Sequence, residues 1–278
     1  MRLADKVVVI TGGGAGLGRE CALLFAEHGA RLVVSDVDEQ RAQNAVKAVT
    51  EAGGTAVGVR ADVTDEDDVR ALMATAVDAY GRLDVTLANA GIPVPGFGTV
   101  PFEETTLASW HRVIDVNLTG VFLCTKHSVA PMRANGGGAI VVTSSAGGLR
   151  AYPGFASYCA SKGGVNMFVR GAAADLGRYG IRINAICPAW GMSANFALGP
   201  TDDVIGLSYE ESEVAAGAEW DPESFPGPLK VGRPPSLRDN AFGALYLASD
   251  ETAYMSGVFF ATADGGSTSR IYANPRIP

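Results

Sequence analysis

The sequence predicts one α/β domain, a doubly wound parallel sheet of about seven strands with helices on both faces. Three observations predict it. Short, continuous apolar runs end in glycine or polar clusters, as strands buried on both faces do. Stretches of helical periodicity separate them, and that alternation specifies a parallel sheet covered on both sides. The 278 residues, 47% hydrophobic with 35 Gly, suit a single domain of the larger α/β kind, spanning 1–278. The net charge of −8 leaves no basic stripe for nucleic-acid phosphates. No apolar run nears the ~20 residues that cross a bilayer, so no membrane partner is expected. The charged start leads too quickly into Val7 for a secretory signal, and a soluble, cytoplasmic protein is expected. Cys21, Cys124, Cys159 and Cys187 are widely spaced and read as reduced packing residues. His28, His111 and His127 do not cluster, so no metal is expected.

The first strand is Val7-Val8-Val9-Ile10. It runs into Thr11-Gly12-Gly13-Gly14-Ala15-Gly16-Leu17-Gly18, then into helical periodicity from Arg19 to His28. A glycine turn between strand and helix lets the backbone approach a pyrophosphate, and the helix start offers free N–H groups to it. The second strand, 31–35, ends at Asp36, where a carboxylate accepts from both hydroxyls of an adenosine ribose and repels a 2′-phosphate. Neither Ala15 nor Val37 supplies a basic side chain for such a phosphate, so NAD is expected over NADP. A helix over 38–52 and a strand over 55–60 follow. Asp62 stands just past that strand, and Thr64 is the expected N-cap of a helix reaching Tyr80. The strand 83–88 runs into Asn89-Ala90-Gly91. Gly12, Asp36, Asp62 and Asn89 therefore all fall beyond carboxyl ends of strands, where open parallel sheets bind ligands.

The Pro- and Gly-rich loop 92–101, with Phe97, either borders a substrate pocket or merely connects. A long helix over 105–133 carries Asn117 in an apolar stretch, where the amide must find partners or cost about 1–3 kcal/mol. It is either a satisfied structural amide or a bend that holds a water. The strand 139–143 ends in Ser144-Ser145, either of which can hydrogen-bond a carbonyl or alkoxide oxygen. The helix 156–179 places Tyr158 and Lys162 on one face, one turn apart. A cation so placed favours phenolate, so the phenol is expected below its usual value and usable as a general acid or base. The strand 181–187 leads into Pro188-Ala189-Trp190-Gly191-Met192-Ser193. A helix over 236–249 and a strand over 257–262 complete the pattern.

Thr11-Gly12, Gly16, Gly18, Asn89-Ala90-Gly91, Asn117, Ser145, Tyr158, Lys162 and Pro188 occur in the order and spacing of the short-chain dehydrogenase/reductase family, which the chain resembles from Lys6 to about Ser267. The resemblance implies a Rossmann-type fold and a catalytic set of Asn117, Ser145, Tyr158 and Lys162. Its spacing selects Ser145 over Ser144. Tyr158 then exchanges the alcohol proton, Lys162 holds the nicotinamide ribose and lowers the phenol, and Asn117 anchors a relay water. The implied NAD seat runs through Gly12, Gly16, Leu17, Gly18, Asp36, Val37, Asp62, Val63, Asn89, Ala90, Gly91, Tyr158, Lys162, Pro188, Gly191 and Ser193. The four-residue spacing of Tyr158 and Lys162 disfavours a double-bond reductase. Ala189 and Ser193 replace the family's usual Gly and Thr; the serine keeps the hydroxyl that binds the carboxamide.

Residues 194–231 form a longer substrate loop than the family's usual one. It has eight acidic residues and no Lys or Arg between Thr201 and Glu223, interleaved with Phe196, Leu198, Leu207, Tyr209, Trp220 and Phe225. It is either a solvated insertion or a lid that covers a neutral substrate. As a lid it repels polyanions, so thioesters of CoA and sugar phosphates are expected to be poor substrates. An alicyclic, terpenoid or steroid-like secondary alcohol or ketone is expected, with Phe97, Leu149, Tyr152 and Trp190 as pocket walls. The resemblance implies a homotetramer, and the tail 267–278 reaches a neighbouring subunit or frays. The competing reading is an NAD-binding sensor without turnover. An epimerase or dehydratase is disfavoured because 12 residues follow Gly266, too few for its larger substrate domain.

Overall fold

The computed structural model describes residues 1–194, 196, 206–227 and 229–264; the tail 267–278 and Leu198 lie outside the described residues. Its sheet has seven strands: β1 (Val7–Thr11), β2 (Arg31–Asp36), β3 (Thr55–Arg60), β4 (Val85–Ala88), β5 (Gly138–Thr143), β6 (Ile181–Pro188) and β7 (Phe259–Thr262). Their order is β3-β2-β1-β4-β5-β6-β7, and every neighbouring pair is parallel. The described helices are α1 (Gly16–Glu27), α2 (Glu39–Glu51), α3 (Glu66–Tyr80), α4 (Leu107–Ile114), α5 (Gly120–Ala134), α6 (Ala156–Leu176), α7 (Tyr209–Ala215) and α8 (Leu237–Ala248).

Strand alternation explains the unbroken apolar runs. Val7 and Val9 pack with residues of α3, α5 and α6, whereas Val8 and Ile10 pack with α1, α2 and α8. All four are fully buried, each side chain worth about 1.5–3 kcal/mol. With helices on both sides, the one polar residue of β1 is Thr11 at its carboxyl end, where its hydroxyl accepts from Asn89 and Ala90 N–H. Strand β1 sits between β2 and β4, so the chain reverses direction across the sheet there. A crevice at the carboxyl ends of the strands follows from that reversal.

Two local expectations are corrected. Asp65, not Thr64, caps α3: its carboxylate accepts from the backbone N–H groups of Asp67 and Asp68. Thr64 is drawn back instead, donating N–H and hydroxyl to Asp62 at 2.9 and 2.8 Å. The helix expected over 105–133 is also not uniform, because a π-turn over Asp115–Thr119 joins α4 to α5. Such turns often sit at functional sites, and this one contains Asn117.

Asp84 fastens the start of β1. Its carboxylate accepts from Val7 N–H at 2.9 Å and takes both arms of Arg82, at 2.8 and 2.5 Å. Asp84→Ala strands a buried donor and should destabilise the protein by about 2 kcal/mol, lowering the melting temperature by ~4–8 °C. Calorimetry reads this directly, and an unchanged transition would show the brace to be dispensable. The four cysteines are free; Cys21, Cys124 and Cys187 are buried, and burial pushes their thiols up. Among the described residues no helix is long and apolar enough to cross a membrane, and no group of three metal-liganding side chains occurs.

Candidate active site

A cleft of about 1350 Å³ lies at the carboxyl ends of the strands, larger than the ~300–1,000 Å³ usual for one small ligand. One wall is the glycine turn. The N-cap of α1, Ala15, makes no side-chain cap, and no acidic residue occupies the first helical turn. The N–H groups there remain available to an anion. Gly16 has φ +51, and a Cβ on it would stand 2.5 Å from Ser193 Oγ. That hydroxyl is buried without a hydrogen-bond partner among the described residues, an orphan facing the turn. Gly18 serves differently: a Cβ there would meet Gly12 O at 2.1 Å. It lets α1 close onto β1 and does not line the cleft.

The far end holds Asp36, its carboxylate accepting from Gly14 N–H at 3.2 Å and Asp38 N–H at 3.1 Å. Val37, Asp62 and Val63 line the same end. Arg41 joins them, a residue that sequence reasoning missed. A Cβ on Gly14 would meet Arg41 Cβ at 2.6 Å and Asp36 Oδ2 at 2.8 Å, so the arginine stem and the carboxylate flank one glycine. Its guanidinium is 3.7 Å from Asp38, a loose ion pair. The signal was five residues past Asp36, where the first turn of α2 comes back beneath the glycines.

The floor is braced across three strands. Asn89 donates its side-chain N–H groups to Thr11 O and Gly12 O at 3.1 Å each, and accepts from Thr143 hydroxyl at 3.1 Å. Lys162 continues the brace, donating to Thr143 O at 2.8 Å. Lys162 is 2% exposed and forms no carboxylate salt bridge among the described residues. Burial pulls its ammonium down to about 8, and two of its three N–H donors remain for other acceptors. Asn117 is fully buried. Its oxygen accepts from Ile92 N–H at 2.8 Å, and its amide donates to Ile92 O and the Ser161 hydroxyl. The side chain is thus a clasp between the π-turn, the loop after β4 and α6.

Tyr158 is 6% exposed. Lys162 Nζ lies 5.7 Å from its ring centroid, the proximity that the spacing predicts. The expected fall in the phenol pKa is not found: burial pushes the phenol up to about 12, and a hydrogen bond with Ser145 only partly opposes it. The cation is itself desolvated, and aromatic rings rather than water surround the phenol, so the neutral form wins. Ser145 also accepts from Gly147 N–H at 3.0 Å. Ser144 also lines the cleft, but its hydroxyl turns to Asn166 at 2.7 Å and Lys162 O at 3.3 Å.

Gly12, Gly16, Leu17, Asn89, Ala90, Gly91, Pro188, Gly191, Ser193 and Phe97 all line the same cleft as Ser145, Tyr158 and Lys162. Leu149, Tyr152 and Trp190 do not. Leu149 is 42% exposed, Tyr152 accepts from Arg150 at 2.9 Å, and Trp190 packs on Phe225 with centroids 4.9 Å apart. The backbone at Trp190 and Gly191 is held by Asn240, which donates to both carbonyls at 2.9 Å. From the insertion, Phe196 reaches the cleft, while Leu207 and Tyr209 pair back onto Ala194 and Met192.

The chain matches a short chain dehydrogenase family profile over residues 6–196. The cis-4-hydroxycyclohexanecarboxylate dehydrogenase of Sinomonas cyclohexanicum is 39% identical, the match covering 96% of this chain and 98% of that one. The mitochondrial borneol dehydrogenase of Lavandula x intermedia is 38% identical over 92% of this chain and 88% of its own. A 7α-hydroxysteroid dehydrogenase solved with NADH and 7-oxo glycochenodeoxycholic acid superposes with a TM-score of 0.79 at 30% identity, over 95% of both chains.

Proposed function

We propose, for a chain that belongs to the short-chain dehydrogenase family and is thereby an oxidoreductase, that it interconverts a cyclic secondary alcohol and its ketone with NAD. One observation carries the reading: the Tyr158 phenol, with Ser145 and Lys162 beside it, shares a cleft with the Asp36 carboxylate. When bound, NAD would supply the hydride chemistry and, in its oxidised form, a positive charge that favours phenolate. The residues fit such a group. The uncapped α1 start would receive the pyrophosphate, the Ser193 hydroxyl the carboxamide, Asp36 the adenosine ribose and Lys162 the other ribose.

Tyr158 Oη removes the proton from the carbinol hydroxyl in oxidation and gives it back to the ketone oxygen in reduction. Ser145 Oγ holds that oxygen and stabilises charge developing on it. Lys162 and the π-turn at Asn117 position the phenol and a relay water. The relatives' ring alcohols support a cyclic substrate, and the apolar side chains around Tyr158 support a neutral reacting end. The test is NADH absorbance across cyclic alcohols and hydroxysteroids, with NADP as control; no turnover on any of them would favour the sensor reading. The same reading makes the working unit a cytoplasmic homotetramer, and light scattering tests the assembly.

Cofactor choice follows from the pair flanking Gly14. The wild type should bind NADH at least about tenfold more tightly than NADPH, because Asp36 repels a 2′-phosphate. Asp36→Ser removes the repulsion and leaves Arg41 as a phosphate partner, so the preference should narrow by roughly 10–100-fold. Adding Arg41→Ala should take that gain away. Fluorescence titration measures each constant, and a wild type favouring NADPH would overturn the role given to Asp36.

A further inference from the structure

Four aromatic rings, that of Tyr158 among them, close a cycle. Phe97 meets Phe155 at 5.1 Å, Phe155 meets Tyr158 at 6.2 Å, Tyr158 meets Phe196 at 5.8 Å, and Phe196 meets Phe97 at 6.3 Å. Every contact is edge-to-face, the arrangement that aromatic quadrupoles favour. Val94 and Val113 are buried with Tyr158, and Ile92 packs against them.

Phe97 is held there at a conformational penalty. Its backbone is left-handed, φ +47 and ψ +46, between Gly96 at φ +63 and Gly98 at φ +85. Left-handed backbone is rare for a bulky residue and clusters at ligand clamps. Packing alone does not account for it, since Phe97 remains 41% exposed. Gly98 is part of the same device: a Cβ there would strike the Phe155 ring at 2.5 Å. The loop therefore combines a strained residue and an obligatory glycine to bring one ring edge into a lining position of the cleft.

Resting on the dehydrogenase reading above, we propose that Phe97 is a specificity-determining residue that selects alcohols whose carbinol carbon belongs to an apolar ring. A rigid ring sets its C–H edges against these aromatic faces without losing torsional freedom, whereas an open chain must freeze its rotors to fit. Phe97 supplies the wall opposite Tyr158 that makes this difference count.

The experiment compares cyclohexanol with its open-chain counterpart 2-hexanol by kcat/KM in the wild type, Phe97→Gly and Phe97→Tyr, alongside melting temperatures. The wild type should prefer the ring by at least about tenfold. Glycine accepts the left-handed backbone, so Phe97→Gly should melt within about 3 °C of wild type while the preference falls to about threefold or less. Phe97→Tyr keeps the ring and should keep the wild-type ratio. A ratio that persists in Phe97→Gly, or is lost equally in Phe97→Tyr, overturns the inference. A wild type that oxidises neither alcohol overturns this inference, and one that also turns over no cyclic alcohol or hydroxysteroid of the wider panel withdraws the dehydrogenase reading with it.

Discussion

Tyr158→Phe should lower turnover of a cyclic alcohol by roughly 10²–10⁴-fold, the range that a positioned acid–base group contributes, and leave dinucleotide affinity within about threefold. The ring and its two aromatic neighbours, Phe155 and Phe196, stay, so the cleft keeps its shape; only the proposed proton carrier is removed. NADH absorbance gives the first number and fluorescence titration the second. A variant retaining wild-type turnover would move the proton transfer to another group, Ser145 being the nearest. The direction of pH dependence follows from burial. With the phenol pushed up to about 12, its neutral form dominates near neutrality. Ketone reduction, which needs that form, should be flat there and fall only under strongly basic conditions. Alcohol oxidation, which needs a base, should rise with pH.

Lys162→Met should abolish useful turnover and yet stabilise the ligand-free protein. The ammonium is buried without a carboxylate partner among the described residues, and its folded-state value of about 8 lies below the ordinary 10.5. Holding it charged at neutral pH opposes folding by on the order of 3 kcal/mol. Leaving Thr143 O without its donor returns part of this, so the net gain is about 2 kcal/mol, or ~4–8 °C in melting temperature. The sign can be checked with pH. Below 8 the lysine is charged in both folded and unfolded states, and the variant's advantage is complete. Between 8 and 10.5 the folded protein releases the proton first, so the advantage shrinks; above that range it vanishes. A variant that melts lower than wild type at pH 7 would mean that the lysine's hydrogen bond outweighs its desolvation.

What could be read from the sequence was whatever short spacings encode. The glycine turn, Asp36 and the Tyr158–Lys162 pair are local patterns, and each stands where its spacing places it. Features requiring distant packing escaped. Arg41 matters because α2 folds back beneath Gly14, and no local periodicity carries that information. Phe155 is 58 positions beyond Phe97 in the chain and adjoins it only through the loop geometry at Gly98. The phenol's upward shift was missed for the same reason: spacing announces the neighbouring cation but not the surrounding rings. Thr64 and Asp65 compete for one cap, and Asp62 decides the contest by engaging the threonine.

The π-turn at Asp115–Thr119 has a consequence for how this helix tolerates change. One extra residue in a helical turn rotates everything after it by about 100°. Val113, ahead of the turn, faces the aromatic cluster, while Val121, Leu123 and Cys124, beyond it, face the sheet. The turn is therefore a phase adjuster between two surfaces set at different angles. Substitutions along it alter one contact at a time. A single deletion would re-index the whole of α5 against the sheet, turning its apolar side outward and unseating Asn117 from Ile92.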